Sequence, residues 1–216
     1  MGIPERRAGR RAGDVCVAAV HRTRNPVARG LTVMELLIVV ALAALILALG
    51  APQFGEFQRN NRLTATANDL LASLQLARTE AIKRQRPVAL CASADPEADT
   101  PSCSGGAFRG WIVFEDPDAD CQPGSADAVL RREGPIPASL RVRADGQCTL
   151  FGADGFSREL GAGVDARRLV VCDDRGFALQ AGTDQSTARG IQVLRPGRAF
   201  VTREPDLLER WDLACP

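Results

Sequence analysis

The chain has 216 residues and a formal net charge of +1, from 27 lysines and arginines against 26 acidic side chains. Its single histidine is His21, so residues 31–216 lack the side chain that most often performs general acid–base catalysis, and no histidine-based zinc cluster can form there. The near-neutral balance excludes a uniformly basic chain of the kind that coats nucleic acid.

That balance hides two regions. Residues 1–30 carry Arg6, Arg7, Arg10, Arg11, Arg22, Arg24 and Arg29 against Glu5 and Asp14, which leaves 20 basic and 24 acidic side chains, or −4, for the remainder. Leu31 to Met34 and Leu36 to Ala51 are apolar, glycine or threonine, and about 20 such residues span a bilayer as a helix. The basic segment before the run fits the cytoplasmic side of a membrane anchor, and no small-x-small cleavage site follows the run, as a secretory signal would require. Glu35 interrupts it. A carboxylate inside a membrane-length helix is costly and is therefore a functional candidate, whereas a passive anchor gains nothing from it. Pro52 ends the run and is expected to kink or interrupt the helix by removing a hydrogen bond.

The stretch Arg29-Gly30-Leu31-Thr32-Val33-Met34-Glu35-Leu36 resembles the processing site of type IV prepilins and type II secretion pseudopilins. The resemblance implies that residues 1–30 are a leader, long for that family. It further implies that a prepilin peptidase cuts between Gly30 and Leu31 and methylates the new terminus, and that the inner membrane and other pilin or pseudopilin subunits are partners. In a filament Glu35 would guide docking by pairing with the amino group of a neighbouring Leu31, each charge offsetting the other's desolvation.

After Pro52 a polar cluster, Glu56, Gln58, Arg59, Asn60, Asn61 and Arg62, marks the end of the apolar segment. Leu63, Ala67, Leu70, Leu71, Leu74, Ala77 and Ala81 then recur at helical spacing, which predicts an amphipathic helix to about Arg84 with one face against a sheet. Pro87 makes continuation improbable. Strands are expected at Val88–Ala92, Gly110–Phe114, Val129–Arg132, Leu140–Arg143, Cys148–Phe151, Leu169–Cys172, Phe177–Gln180, Ile191–Leu194 and Ala199–Thr202, separated by Gly, Pro, Asp and Ser clusters. Helix first, strands after, is the pattern of an α+β domain with antiparallel sheet. The expected organisation is leader 1–30, stalk 31–52, amphipathic helix 53–86 and β-rich domain 87–216.

Beyond Cys16, the chain holds Cys91, Cys103, Cys121, Cys148, Cys172 and Cys215. An even set outside the cytoplasm indicates disulfides, and no CxxC pair supports zinc. Six cysteines allow many pairings and the sequence does not choose; our preference is Cys91–Cys103 closing a loop and Cys172–Cys215 pinning the tail, leaving Cys121–Cys148.

Leu90-Cys91-Ala92-Ser93, Gly110-Trp111-Ile112-Val113-Phe114, Leu169-Val170-Val171-Cys172 and Trp211-Asp212-Leu213-Ala214-Cys215-Pro216 together resemble the FimT/GspH group of minor pilins and minor pseudopilins, over about 63–216. Cysteines near both ends of the domain are more similar to FimT-type minor pilins than to the secretion proteins. The resemblance implies a pilin-like fold, a structural role in filament initiation or at the tip, and localisation in the bacterial inner membrane with a periplasmic domain. It also brings in double-stranded DNA, which some FimT-type pilins hold through arginines around a Gly-Arg-x-Arg element. Here Gly197 and Arg198 match and Phe200 replaces the second arginine; Arg195, Arg198 and Arg203 are the candidate contacts, with Arg189 and Arg210 nearby. Glu204, Asp206 and Glu209 oppose this, and a solvated edge strand guarded by charge is the competing account.

Asp116, Asp118 and Asp120 alternate as in a calcium loop, but an EF-hand needs glycine where Cys121 stands and glutamate where Asp127 stands, so a polar turn tied by a disulfide is expected and no metal. Asp173-Asp174-Arg175-Gly176 reads as a hairpin turn, and Trp111 and Trp211 as core anchors. No Gly-x-Ser-x-Gly or phosphate-cradling loop appears. Neither an enzyme nor a cofactor is expected.

Overall fold

The computed structural model describes residues 30–105, 108–161 and 164–215, apart from the side chains of residues 49 and 51–53. Residues 1–29, with Cys16 and the basic leader, lie outside the described set. The chain divides into two units that meet between Ala48 and Leu49.

Helix α1 is assigned from Val33 to Arg84, so Pro52 does not interrupt it. Thr32 starts it: the Glu35 backbone N–H donates to Thr32 Oγ1 at 3.2 Å, and the Leu36 N–H to the Thr32 carbonyl. In the first unit every described side chain from Leu31 to Ala48 is exposed, with Leu37 at 60% and Ile46 at 69%. The helix there is apolar on all sides. Among the described residues no helix is long and apolar enough to cross a membrane.

In the second unit the same helix becomes one-sided. Leu63, Thr66, Ala67, Leu70, Ser73, Leu74, Ala77 and Ala81 are buried while their neighbours around the cylinder are exposed. Burial thus recurs every three or four residues, as a helix against a flat partner demands. The stop is a left-handed Gln85 (φ 55), after which the Arg86 N–H reaches the Ala81 carbonyl, a Schellman closure without its usual glycine.

The strands are β1 (Val88–Ser93), β2 (Gly110–Glu115), β3 (Val129–Glu133), β4 (Arg141–Ala144), β5 (Cys148–Phe151), β6 (Arg168–Cys172), β7 (Arg189–Val193) and β8 (Ala199–Thr202), followed by a short helix α2 (Pro205–Glu209). They form two four-stranded sheets, ordered β3-β2-β1-β5 and β4-β6-β7-β8, in which every pairing is antiparallel. The architecture is α+β, a helix packed on antiparallel sheet.

Alternation along the strands decides what lies between the layers. Val88, Leu90, Trp111, Val113 and Phe151 from the first sheet meet Leu169, Val171, Ile191 and Val193 from the second around the α1 stripe. The intervening residues point the other way. Ala89, Cys91, Ile112, Phe114 and Leu150 form a second cluster behind the first sheet. Val170 and Cys172 join Leu208 and Trp211 behind the second. Disulfides close both backs. Cys91–Cys103 and Cys121–Cys148 bind loops over the first sheet, and Cys172–Cys215 fastens the tail over the second, with Cα separations of 5.6, 6.0 and 6.3 Å. Cross-links of this loop length stabilise by roughly 3–4 kcal/mol each.

One expected strand needs correction, and one helix was not expected. Phe177–Gln180 is not a strand: it lies between a turn at Asp173–Gly176 and another at Gln180–Gln185, and retains one isolated bridge, Leu179 to Ser186. The turns sit too close for a ladder. Helix α2, unforeseen, begins on Pro205 at its first turn and places Leu208 and Trp211 against Gly190, where a Cβ would meet Trp211 at 2.7 Å.

Candidate functional site

The β7–β8 turn is built around Gly197. Its φ of +77° favours glycine, and its N–H closes the turn onto the Leu194 carbonyl at 2.8 Å. A Cβ there would press on the Gly155 carbonyl oxygen and lie 2.9 Å from Arg78 Nε. The tightness has a local consequence. It lets Arg78, from α1, donate to the Gly155 carbonyl at 3.0 Å directly beneath the turn that carries Arg195 and Arg198.

The candidate arginines divide sharply. Arg198 is exposed; its carbonyl accepts the Leu194 N–H at 2.8 Å, and its guanidinium has no ion pair or hydrogen bond among the described residues. Arg195 is exposed but paired with Glu159, which also takes Arg167 at 3.1 Å. Arg203 is half-buried: its Nε and one Nη hold the Ser186 carbonyl at 3.2 and 3.1 Å, and the same Nη reaches Gln180 Oε1. Burial lowers its pKa. Arg203 therefore fastens the 180–186 loop to the strand end. The four residues of β8 separate it from Arg198, so the two arginines stand at opposite ends of that strand, about 16 Å apart along the chain.

Arg189, considered as a phosphate contact, is buried. Its guanidinium donates to the Thr187 carbonyl at 2.6 Å and to Thr64 Oγ1 at 3.3 Å, with no carboxylate in bonding range among the described residues. Burial, reinforced by repulsion from Arg203 and Arg175 and opposed by Asp173, brings its pKa down to about 10. Arg210 is exposed and its Nε turns back onto the Asp206 carbonyl at 3.0 Å. Beside the candidate set, Arg78 is a cation that the helical spacing did not single out; only the tertiary approach of Gly155 and Gly197 brings it to Arg198.

At the other end of the motif set, Gly30 and Leu31 are exposed, with nothing within 4 Å of a Cβ placed on Gly30, and Leu31 at 74%. Glu35 is exposed in the first turn of α1, where a carboxylate also complements the helix dipole. Thr32-x-x-Glu35 is half of a capping box, a signal present in the sequence that the membrane reading passed over.

The aspartate triad is a turn. Buried Asp116 accepts the backbone N–H groups of Asp120 at 3.2 Å and Cys121 at 3.1 Å. It lies with Asp118 and Asp120 so that one carboxylate oxygen of each falls within 4.8 Å of the others. Burial pushes the Asp116 carboxyl up to about 6, against the pull of the Cys121 N–H and aided by the Asp118 carboxyl beside it. Both tryptophans are core: buried Trp111 donates Nε1–H to Ser73 Oγ at 2.8 Å, tying β2 to α1.

The family model described as Type II transport protein GspH matches residues 66–197. No curated protein matches the chain in sequence. Among solved structures the chain is similar to the type IV minor pilin FimU of Pseudomonas aeruginosa, at 23% identity over 69% of this chain and 94% of that one, with a TM-score of 0.46. It is also similar to the minor pseudopilin EpsH from the type II secretion system of Vibrio cholerae, at 10% identity over 67% and 96%, with a TM-score of 0.42.

Because Asp116 has an ordinary value of 3.8 when unfolded and about 6 when folded, the folded state binds more protons between those values. Its contribution to stability is full below pH 3.8 and is lost as pH rises through about 6. The unfolding free energy of the chain, measured against Asp116→Asn by chemical denaturation, should fall by about 2 kcal/mol from pH 4 to pH 7. A pH-independent difference would contradict the assignment.

Proposed function

The chain belongs to the GspH family, and from that premise we propose that it is a minor pilin of a type IV pilus, acting in the initiation of assembly or at the tip. One observation carries the reading. From Leu31 to Ala48 every side chain is exposed, and all but Thr32 and Glu35 are apolar. A helix that is apolar on every side has no stable place in water; lipid covers it before assembly and the stalks of other subunits afterwards. In this proposal the prepilin peptidase removes residues 1–30, Leu31 becomes the methylated terminus, and Glu35 docks the subunit against a neighbour. The anchor spans the inner membrane once, with the domain in the periplasm, an oxidising compartment suited to three disulfides. The role is structural, with no catalytic step, in keeping with the absence of histidine from residues 31–216.

A second reading, a minor pseudopilin acting in protein secretion, is favoured by the description of the family model as a type II transport protein. Cysteine placement, with Cys91 early and Cys215 at the tail, supports the pilus side. Double-stranded DNA is the further proposed partner, held at the β7–β8 turn by Arg198 with Arg78 and Arg195, through phosphate contacts that salt weakens. Arg203 has no part in it.

Glu35→Ala in the full chain should reduce recovery in sheared pili at least tenfold while leaving the membrane-bound amount unchanged; unchanged incorporation would reduce residues 31–52 to a plain anchor. Deletion of the gene should remove surface pili and leave secreted hydrolases at normal levels, and the reverse outcome would make the chain a pseudopilin. For DNA, Arg198→Ala should weaken duplex binding severalfold at low salt and Arg203→Ala should leave it unaltered. Equal loss in both variants, or no binding by the parent chain, would remove DNA from the proposal.

A further inference from the structure

A charged cleft near the start of the domain has no role in any of the above. Arg59 and Arg62, three residues apart and hence on one face of α1, line it together with Ser139, Arg141, Asp173 and Asp174, around a volume of about 480 Å³. Its two carboxylates do not neutralise it. Asp173 is buried and committed to Arg175, whose Nη2 is 2.6 Å away and whose backbone N–H it also accepts at 3.1 Å. Asp174 reaches only Arg59, at 3.6 Å, with the two side chains 54% and 76% exposed, a geometry in which ion pairs hold little. The side chains of Arg62 and Arg141 have no ion pair or hydrogen bond among the described residues. Three guanidinium groups thus converge on one opening with a single loosely held carboxylate. Their planar forks match the oxygens of a phosphate.

The position in the chain supplies the source of that phosphate. At 1.5 Å per residue, Arg59 and Arg62 stand about 10 and 15 Å along the helix from Pro52, where the apolar run ends. Long arginine stems let the charged heads sit at the level of lipid headgroups just outside a bilayer core. We infer that this cleft binds the phosphodiester headgroup of an anionic phospholipid in the membrane that carries the stalk. The inference rests on the membrane-stalk reading above, and it adds a second, polar attachment beside the apolar one.

The test uses the purified full chain in neutral detergent, titrated with phosphatidylglycerol or phosphatidylcholine and read by native mass spectrometry. Phosphatidylglycerol should bind at least tenfold more tightly than phosphatidylcholine. Arg62→Ala and Arg141→Ala should each weaken it roughly fivefold, as expected for one arginine at an anionic surface, and Arg62→Lys should recover part of the loss. Melting temperatures of the variants should match the parent, which separates lost binding from lost fold. Equal binding of the two lipids, or unaltered binding in both alanine variants, would overturn the inference. Displacement of phosphatidylglycerol by inorganic phosphate at equal concentration would assign the cleft to free phosphate and overturn it likewise. Retention of the same chain in carbonate-washed membranes reads the stalk separately: retention without lipid preference sinks the cleft alone, and release from the membrane sinks the stalk reading.

Discussion

Leu63, Leu70, Leu74, Ala77 and Ala81 lie on one side of α1 and are at most 1% exposed, and that stripe has to be covered by two sheets at once. Among the described residues the first sheet has no helix on its other face, and the second has only the short α2. Each leucine buried in the stripe contributes about 1.5–3 kcal/mol, and the alanines at 67, 77 and 81 let the strands approach the helix closely. The consequence appears on the outer faces. Ala89, Ile112, Phe114 and Leu150 on one, and Val170 with Trp211 on the other, form apolar clusters that loops and tail must roof. The three disulfides sit in those roofs. They hold irregular segments where a second helical layer would otherwise be needed.

Most polar groups drawn into this packing are satisfied locally, the buried Ser93 hydroxyl being an exception. Trp111 Nε1–H finds Ser73, Thr149 Oγ1 finds the Ala166 carbonyl at 2.6 Å, and Arg189 spends its guanidinium on main-chain carbonyls and Thr64. Asp173 and Arg175 close on each other, and Arg175 extends to Asn60 of α1 at 3.0 Å. Buried polar atoms left unpaired would cost a kilocalorie or more each, so these residues pin the second sheet to the helix. Arg198 at the β7–β8 turn and Arg62 and Arg141 at the cleft keep guanidinium groups without a hydrogen bond or ion pair among the described residues, and binding chemistry is available there.

Much of this was legible from residue patterns. The 3.6-residue period from Leu63 to Ala81 set the helix and its buried face. Runs such as Leu169-Val170-Val171-Cys172 announced strands, and eight of them lie within two residues of their expected bounds. The cysteine pairs agree with the loop-closing preference. What failed was local signal overruled by tertiary geometry. Phe177–Gln180 has strand-like residues, but turns on both sides leave it a single bridge. Pro205-Asp206-Leu207-Leu208-Glu209 is too short for periodicity to register as a helix. Arg189 and Arg203 look like surface cations in the sequence, and only the fold reveals that carbonyls from residues 186–188 capture them. The grouping of Arg78 with Arg198, and of Arg62 with Arg141, depends on contacts between segments far apart in the chain, which no local pattern encodes.

The proposed role stands on the prepilin-like start of the chain, because subunit docking and the pairing of Glu35 with a neighbour's amino group both require a terminus at Leu31. The most direct measurement is the intact mass and amino-terminal sequence of the protein isolated from cells that make it. The account predicts one species beginning at N-methylated Leu31, with three disulfides and no residue from 1–30. A protein that retains those residues, or begins elsewhere, would contradict it.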